Sequence, residues 1–257
     1  MTSEIGTAPP QAPVAQQENK GFLQRVIGVL FSPDETFQDI ARRPDVLWPL
    51  VLLMVVTLAS TVIVVPRMDF ETMMRDNIER SGKNMAPEDA DRMVRVMTAS
   101  AKVFGYASPI LAIAVWAIVA GVLLIAFRLF GGEGTFKQAF SVTLYGWLPL
   151  LINSIIATII LAAKGSVDPT QMSTLVRSNL AFLVDPKANP LAFAALSSLD
   201  IFTVWSLVLF VIGFAYVAGM SKARSAAIVI SLWVVAIFFK VGFAAIGAAK
   251  AKAAAAS

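Results

Sequence analysis

The sequence predicts an all-α, polytopic helical membrane protein with about five transmembrane helices. Two observations predict this class. Hydrophobic residues make up 57% of the 257 residues, charged residues only 15%, and the mean hydropathy is +0.73. A soluble domain carries about 25% charged residues, so this chain has too little polar surface to cover a water-facing globule. In addition, the chain contains five apolar runs, each close to the roughly 20 residues that cross a bilayer as a helix.

The first segment, residues 1–19, is polar and rich in Pro, Gln and Ala. It lacks the basic and then apolar order of a signal peptide, and we expect a disordered tail. Apolar residues then recur at three-to-four spacing from Phe22 to Phe31. This period predicts an amphipathic helix that is too short to span and lies in the headgroup plane.

The segment Ser32-Pro33-Asp34-Glu35 predicts the start of a second short helix, Pro33–Arg42. Ser32 suits the N-cap, Pro33 suits the first helical position, and Glu35 stands where a capping box needs its carboxylate. The simpler interpretation is therefore a capped interfacial helix. The alternative is a docking signal for a cytoplasmic partner, in which Asp34 and Glu35 are exposed.

A membrane domain is predicted over residues 20–250. Its spans are expected at about 48–65, 109–127, 141–163, 198–217 and 226–248. The hydrophilic loop between spans one and two carries seven basic and seven acidic residues. It is expected to form helices at Phe70–Arg80 and 87–103, broken at 81–84. A second loop follows at 164–197, and the chain ends in an Ala-rich tail, residues 251–257.

The third span contains Tyr145 and Pro149. Pro149 has no N–H to donate to the carbonyl of Tyr145, so a helix kink is expected there. Before this span, the turn from Gly131 to Phe136 lacks the Gly-Lys-Ser/Thr ending of a phosphate-binding loop. Glycines that end one helix, followed by Thr135 and Gln138 as a capping box, explain this turn.

Three polar residues within the apolar runs are candidates for an intramembrane function: Asn153, Asp200 and Lys240. Asn153 suits a hydrogen bond between helices. Asp200 lies near the start of its span, where it can cap a helix, and Lys240 can extend to the interface. Antiparallel geometry also places Asp200 and Lys240 at similar depth, which predicts that they face each other across spans four and five.

The composition excludes several functions. The chain has no cysteine and no histidine, so it lacks thiolate nucleophiles, imidazole bases and the usual zinc ligands. We therefore expect no enzyme activity, no catalytic residues, no metal and no cofactor. The basic residues are not clustered with aromatics, which argues against nucleic acid as a partner. Anionic lipid headgroups are the expected electrostatic partner.

Four stretches resemble the Yip family, the Ypt-interacting-protein-like membrane proteins, in their bacterial form. They are "GVLFSPDETFQDIARRPDVLWPL", "FGGEGTFKQAFSVTLYGWLPLL", "LSSLDIFTVWSLVLFVIGF" and "SKARSAAIVISLWVVAIFFKVG". The resemblance covers the chain from about residue 20 onward, and its specificity lies in the order and spacing of the stretches. It implies five spans, a cytoplasmic amino terminus and no known catalysis. Eukaryotic members act in vesicle transport and contact Rab-type GTPases, but this chain carries no feature that indicates Rab binding.

The predicted function is that of a non-catalytic scaffold or adaptor in the cell membrane. Its expected partners are membrane lipids and other membrane proteins, including further copies of the chain, since small residues recur at four-residue spacing at Ala117/Gly121 and Ala215/Gly219. The alternative is a transporter or transporter subunit with a polar site between spans three, four and five. The charge distribution alone leaves the orientation undecided, because the long first loop carries many basic residues.

Overall fold

The computed structural model describes residues 20–80, 85–186 and 188–255. The predicted tail at 1–19, the predicted break at 81–84 and the last two residues lie outside this part of the chain. The α-helices are α1 (Phe22–Phe31), α2 (Pro33–Arg42), α3 (Leu47–Val64), α4 (Phe70–Arg80), α5 (Pro87–Leu129), α6 (Phe136–Gly146), α7 (Leu148–Lys164), α8 (Pro190–Leu196), α9 (Ile201–Ala218) and α10 (Lys222–Ala255).

In the part of the chain that the structure describes, five helical segments are long and apolar enough to cross a membrane. They are Leu47–Arg67, Pro87–Leu129, Phe136–Lys164, Ile201–Ala218 and Lys222–Lys250. The predicted fold class is therefore confirmed. These segments span as helices because lipid offers no hydrogen-bond partners to the backbone, and a helix pairs its backbone N–H and C=O groups with one another.

The helices α1 and α2 begin and end where the sequence predicts. The helix α2 packs against α9 and α6 and buries Phe37 and Ile40 completely. In contrast, α1 leaves an apolar stripe of Leu23, Ile27 and Phe31 exposed. The amino-terminal pair therefore covers one end of the bundle and presents an apolar face to its surroundings.

The second span differs from the prediction. A separate helix at 87–103 and a span that starts at Pro109 were expected, but α5 is one continuous helix of 43 residues. Pro109 lies inside this helix and is buried. Within a bundle, neighbouring helices can compensate for the hydrogen bond that a proline removes. A proline in an apolar run was therefore a poor guide to where the helix begins.

The third span is divided at Trp147, two residues before Pro149. The N–H of Trp147 closes α6 on the carbonyl of Thr143 at 3.1 Å, and its carbonyl accepts from Leu151 at 3.0 Å to open α7. A helix break thus lies where the sequence predicts a kink. The two halves can tilt separately, which allows α6 to pack on the amino-terminal helices and α7 on α3.

The predicted capping box before α6 is confirmed. The hydroxyl of Thr135 accepts from the N–H of Gln138, and the Gln138 side chain accepts from the N–H of Thr135 at 2.8 Å. Gln138 Nε2 also donates to the carbonyl of Ala41 at 2.8 Å. Gly131 and Gly134 have φ of +83° and +118°, which explains the glycines in this turn.

The last two spans differ in length from their predictions. The fourth begins at Ile201 rather than at residue 198, and α10 continues to Ala255, beyond the predicted end at 248 and into the predicted Ala-rich tail. Alanine is the best helix former, so an alanine-rich sequence favours continuation of α10.

The bundle is packed unequally along its length. Completely or almost completely buried large side chains concentrate at the end covered by α1 and α2; they include Phe37, Phe127, Tyr145 and Phe214. The rings of Phe127 and Phe214 stack with centroids 5.1 Å apart. At the other end, the described residues between 165 and 200 fold over the bundle, and Val167 hydrogen-bonds both Arg67 and Asp69. A large cavity lies at this second end.

Candidate functional site

The cavity has a volume of about 590 Å³ and lies between α3, α5, α7 and α9 beneath the 165–200 segment. Hydroxyl groups dominate its polar lining, and six of them are Thr57, Ser60, Thr61, Ser108, Ser154 and Thr158. We call it the polar cavity. It also contains two of the three predicted candidate residues, Asn153 and Asp200.

Several of these hydroxyls are already engaged in hydrogen bonds within the protein. Thr57 donates to the carbonyl of Leu53 at 2.7 Å, and Thr158 donates to that of Ser154 at 2.8 Å. Such bonds to the preceding helical turn satisfy a hydroxyl without a partner from another helix. These groups therefore make the wall polar, but their donors are not available for a bound molecule.

Asn153 differs from these hydroxyls. Its Oδ1 is buried and has no hydrogen-bond partner among the described residues. An unmatched buried carbonyl costs about 1–3 kcal/mol, so this atom would gain from a donor in the cavity. The predicted role of Asn153 as a hydrogen-bonded link between helices is not supported for this oxygen.

Asp200 is the N-cap of α9. Its Oδ1 accepts from the N–H groups of Phe202 at 2.9 Å and Thr203 at 3.1 Å, and its Oδ2 accepts from the hydroxyl of Ser178. The capping role inferred from the sequence is confirmed. A helix amino terminus carries partial positive charge, so the position also offsets the cost of the buried carboxylate.

Lys240 does not pair with Asp200, and the expected contact across spans four and five was wrong. The Lys240 ammonium donates to the hydroxyls of Ser197 at 2.8 Å and Ser198 at 3.0 Å, and the described residues include no ion pair between the two predicted partners. The predicted depth of Lys240 was close, since these serines lie only three and two residues before Asp200. However, the carboxylate is directed at the backbone of its own helix, and Lys240 does not line the polar cavity.

Tyr145 lies away from the polar cavity, in the packed end of the bundle. Its hydroxyl donates to Asp45 Oδ2 at 3.5 Å, and Ser141 donates to the Asp45 carbonyl at 2.7 Å. Beside them, Arg25 is buried and pairs with Asp39 at 2.9 Å. We did not predict this polar cluster, although Arg25 lies four residues before the buried Val29 and thus on its face of α1.

The capping box predicted for α2 is not formed, whereas Pro33 occupies its first turn as expected. The Ser32 side chain makes no capping hydrogen bond. The hydroxyl of Thr36 instead donates to the Ser32 carbonyl at 2.9 Å, and Glu35 lies 3.7 Å from the Lys20 ammonium. Glu35 is thus engaged by Lys20, and the Ser32 carbonyl by the Thr36 hydroxyl, in place of the two reciprocal side-chain contacts of a capping box.

Asp34 joins α2 to the turn between α9 and α10. Its carboxylate accepts from the Tyr216 hydroxyl at 3.1 Å and forms an ion pair with Lys222. The hydrogen bond from Lys222 is the main cause that holds the pKa of Asp34 below its usual value. This carboxylate therefore fastens the amino-terminal helices to the bundle, and the docking role of this segment stays a prediction.

In the described residues, no group of three or more His, Cys, Asp or Glu side chains is placed to hold a metal ion. Asp200, Asp34 and Asp39 are instead engaged by N–H groups, hydroxyls or single cations. The expectation that the chain uses no cofactor remains a prediction.

Comparison with known proteins identifies the family. The family model of the Yip1 domain matches residues 27–243. The chain is also 28% identical over 202 residues to the membrane protein YknW of Bacillus subtilis (strain 168), and this match covers 77% of the chain and 80% of that protein. No solved structure shows significant similarity. The chain therefore belongs to the Yip1 domain family and is a multi-pass membrane protein.

Proposed function

We propose that this protein is a non-catalytic adaptor of the cell membrane that acts through contacts with other membrane proteins and with lipids. The observation that carries the proposal is the length of α5. Its 43 residues extend about 64 Å at 1.5 Å per residue, twice the roughly 30 Å of hydrocarbon that a span must cross. About half of α5 is therefore available outside the hydrocarbon region.

The amino-terminal half of α5 is braced by α4. Arg75 of α4 binds Asp91 of α5 at 2.8 Å, and Glu71 of α4 holds the same guanidinium at 3.1 Å. Val94 of α5 is buried at this contact between the helices. Two helices held together by packing and charge form a more ordered contact surface than a single extended helix. We call this pair the α4–α5 projection.

One face of the projection is apolar and exposed. Met93, Val96, Met97, Val103 and Phe104 lie on one side of α5, at separations of three, four and seven residues, and each is exposed. An exposed apolar stripe on a helix is typical of a surface that binds a partner, and methionine adapts well to varied partners. Lys102 lies close to half a turn from Met97 around the helix and supplies a control position.

A photo-crosslinking amino acid placed at Met97 in native membranes tests the proposal, with Lys102 as the matched control. We expect a reproducible crosslink to a specific membrane protein from position 97, and none from position 102. Met97→Glu should then abolish co-purification of the same protein. Equal crosslinking from both positions, or crosslinks to lipid alone, would contradict the adaptor function.

We further propose that the amino terminus and the α9–α10 turn face the cytoplasm and that the α4–α5 projection faces outside. The resemblance to the Yip family supports this orientation. In the structure, Asp34 joins Tyr216 and Lys222, so the amino-terminal helices and the α9–α10 turn must lie on the same side.

The second candidate function is transport, and the polar cavity with the unpartnered Oδ1 of Asn153 favours it. Two observations count against it: Lys240 does not line the cavity, and the sequence has no internal repeat of the kind that many transporters show. Single cysteines at Ser154 and Thr57 test this function. A transport path requires that small impermeant thiol reagents reach these positions from either side of the membrane, whereas a closed pocket or vestibule allows access from one side at most.

A further inference from the structure

A second concave surface lies at the opposite end of the bundle from the polar cavity. It has a volume of about 610 Å³ and lies where α1, the α2–α3 connection, the start of α3 and the start of α6 meet. Its lining includes four cations and two aromatic rings: Lys20, Arg25, Arg43, Lys137, Phe22 and Trp48. We call it the basic groove.

Two of the four cations already have protein partners. Arg25 pairs with Asp39, and Lys20 lies 3.7 Å from Glu35. The other two, Arg43 and Lys137, are exposed and form no ion pair within the described residues. They come from different segments of the chain, which only the tertiary structure brings to one groove.

One carboxylate, Asp45, also lines the groove. Its Oδ2 accepts from the Tyr145 hydroxyl at 3.5 Å, so part of its hydrogen-bonding capacity is directed towards the bundle. Because Lys20 and Arg25 are paired with Glu35 and Asp39, the two remaining cations Arg43 and Lys137 against Asp45 leave the lining with a net positive charge. An anion is therefore the class of ligand that this surface favours.

The position of the groove indicates which anion. Trp48 is the second residue of α3, the first span, and its ring lies 6.3 Å from that of Phe22. Tryptophan is enriched at the level of lipid headgroups. Next to the groove, Leu23, Leu47 and Val51 are apolar and exposed, as is suitable for contact with acyl chains.

We propose that the basic groove binds the phosphate of an anionic phospholipid, with Arg43 and Lys137 as the contacting cations and Trp48 beside the glycerol region. This proposal rests on the lipid contacts proposed above and specifies where one of them is made. It is independent of the α4–α5 projection, which lies at the other end of the bundle, so crosslinking at Met97 and lipid binding here can fail separately.

The test is lipid binding to the purified full-length protein in neutral detergent, measured by native mass spectrometry. Dioleoyl phosphatidylglycerol is titrated against dioleoyl phosphatidylcholine. We expect tighter first-site binding of the anionic lipid by at least tenfold. In the Arg43→Gln/Lys137→Gln variant this binding should weaken by about fivefold for each cation removed. Retention of full affinity by the variant would overturn the proposal.

Arg224→Gln is the matched control, because Arg224 is an exposed cation on the same side, next to the α9–α10 turn. If the groove is the binding site, this variant should keep its affinity for the lipid within about twofold of the unaltered protein. A general effect of surface charge would instead weaken binding equally at this position. An equal loss in Arg224→Gln would mean that net charge alone attracts the lipid. The charge-preserving variant Arg43→Lys/Lys137→Arg should retain binding, which separates charge from any loss of folding.

Inorganic phosphate and glycerol 3-phosphate distinguish a lipid from a soluble anion. Neither should compete with phosphatidylglycerol at matched concentration, because each lacks the acyl chains that the apolar surface beside the groove contacts. Equal competition by either compound would assign the groove to a soluble phosphate and overturn the assignment to lipid.

Discussion

Asp200 lies at the start of α9 and accepts three hydrogen bonds, two from backbone N–H groups and one from Ser178. A charged residue in an apolar run would suggest a functional site by default. Here the helix terminus needs an acceptor for its free N–H groups, and a carboxylate supplies it. The need to cap α9 is therefore sufficient to explain why Asp200 lies in the polar cavity.

Replacement of Asp200 distinguishes capping from charge. Asp200→Ala should lower the free energy of unfolding by about 0.5–2 kcal/mol, whereas Asp200→Asn should cost much less, because asparagine is also a good N-cap. Unfolding titrations in mixed micelles measure both. Combination with Lys240→Met should be additive, since the two side chains share no direct contact. Equal losses from Ala and Asn would contradict the capping role.

Asp34 provides a pH-dependent contact. Its pKa is lower in the folded protein than the ordinary value of 3.8, mainly because Lys222 donates a hydrogen bond to it. A carboxylate of this kind stabilises the fold above its ordinary pKa and loses the effect as the pH falls through the lowered value. Both partners are about half exposed, so the effect is small.

We therefore expect Asp34→Asn to lower the unfolding temperature by a constant, small amount above about pH 5, and the difference from the unaltered protein to vanish in stronger acid. Thermal unfolding in detergent across this pH range measures it. In a Lys222→Met background, the difference above about pH 5 should be smaller. A difference that grows as the pH falls would have the wrong sign for this contact.

At the scale of elements, the junction of α2, α6 and α9 depends on close approach. A Cβ on Gly213 of α9 would overlap Val142 of α6 and lie 2.9 Å from the Phe37 ring of α2. Gly121 of α5 has no atom within 4 Å of the corresponding point. The small-residue spacing that drew attention to Gly121 thus does not mark a tight contact within the chain, whereas Gly213 was missed.

Alanine substitutions at these two glycines should have opposite outcomes. Gly213→Ala should destabilise the protein by about 1–3 kcal/mol, the usual cost of overpacking. Gly121→Ala should cost nothing, since alanine favours the helix and the space is open. The free energy of unfolding of each variant provides the comparison. Loss of stability in Gly121→Ala would indicate that α5 meets another molecule at this point.

At the scale of the whole molecule, the bundle has a packed end and a polar end. Aromatic and aliphatic side chains are fully buried beneath α1 and α2, whereas the far end contains the polar cavity and the α4–α5 projection. The break at Trp147 allows the third span to serve both ends, with α6 in the packed half and α7 beside the cavity.

The proposed orientation can be tested with single cysteines at Glu88 and Ser221, both exposed and at opposite ends of the bundle. In intact cells, an impermeant maleimide should label position 88 directly and position 221 only after permeabilisation. The chain has no native cysteine, so each signal reports a single site. Labelling of position 221 alone in intact cells would reverse the orientation.

The sequence by itself determined most of the membrane-spanning elements of this protein. Hydropathy and length identified the five spans, a local capping pattern located the N-cap of α6 at Thr135, and the missing N–H of Pro149 indicated a helix break nearby. These properties depend on residues that are close together in the chain, so they can be read without knowledge of neighbouring helices. The family resemblance was likewise contained in the sequence and is now supported over residues 27–243.

Only the tertiary structure decided which of these elements meet. It continued α5 through Pro109, directed Lys240 to Ser197 rather than to Asp200, and brought Arg43 and Lys137 into one groove. The physical reason is that such contacts depend on crossing angles, on helix rotation and on the few ångströms over which hydrogen bonds and ion pairs act. Spacing along the chain sets the depth of a side chain in the membrane, but packing decides the direction in which it points.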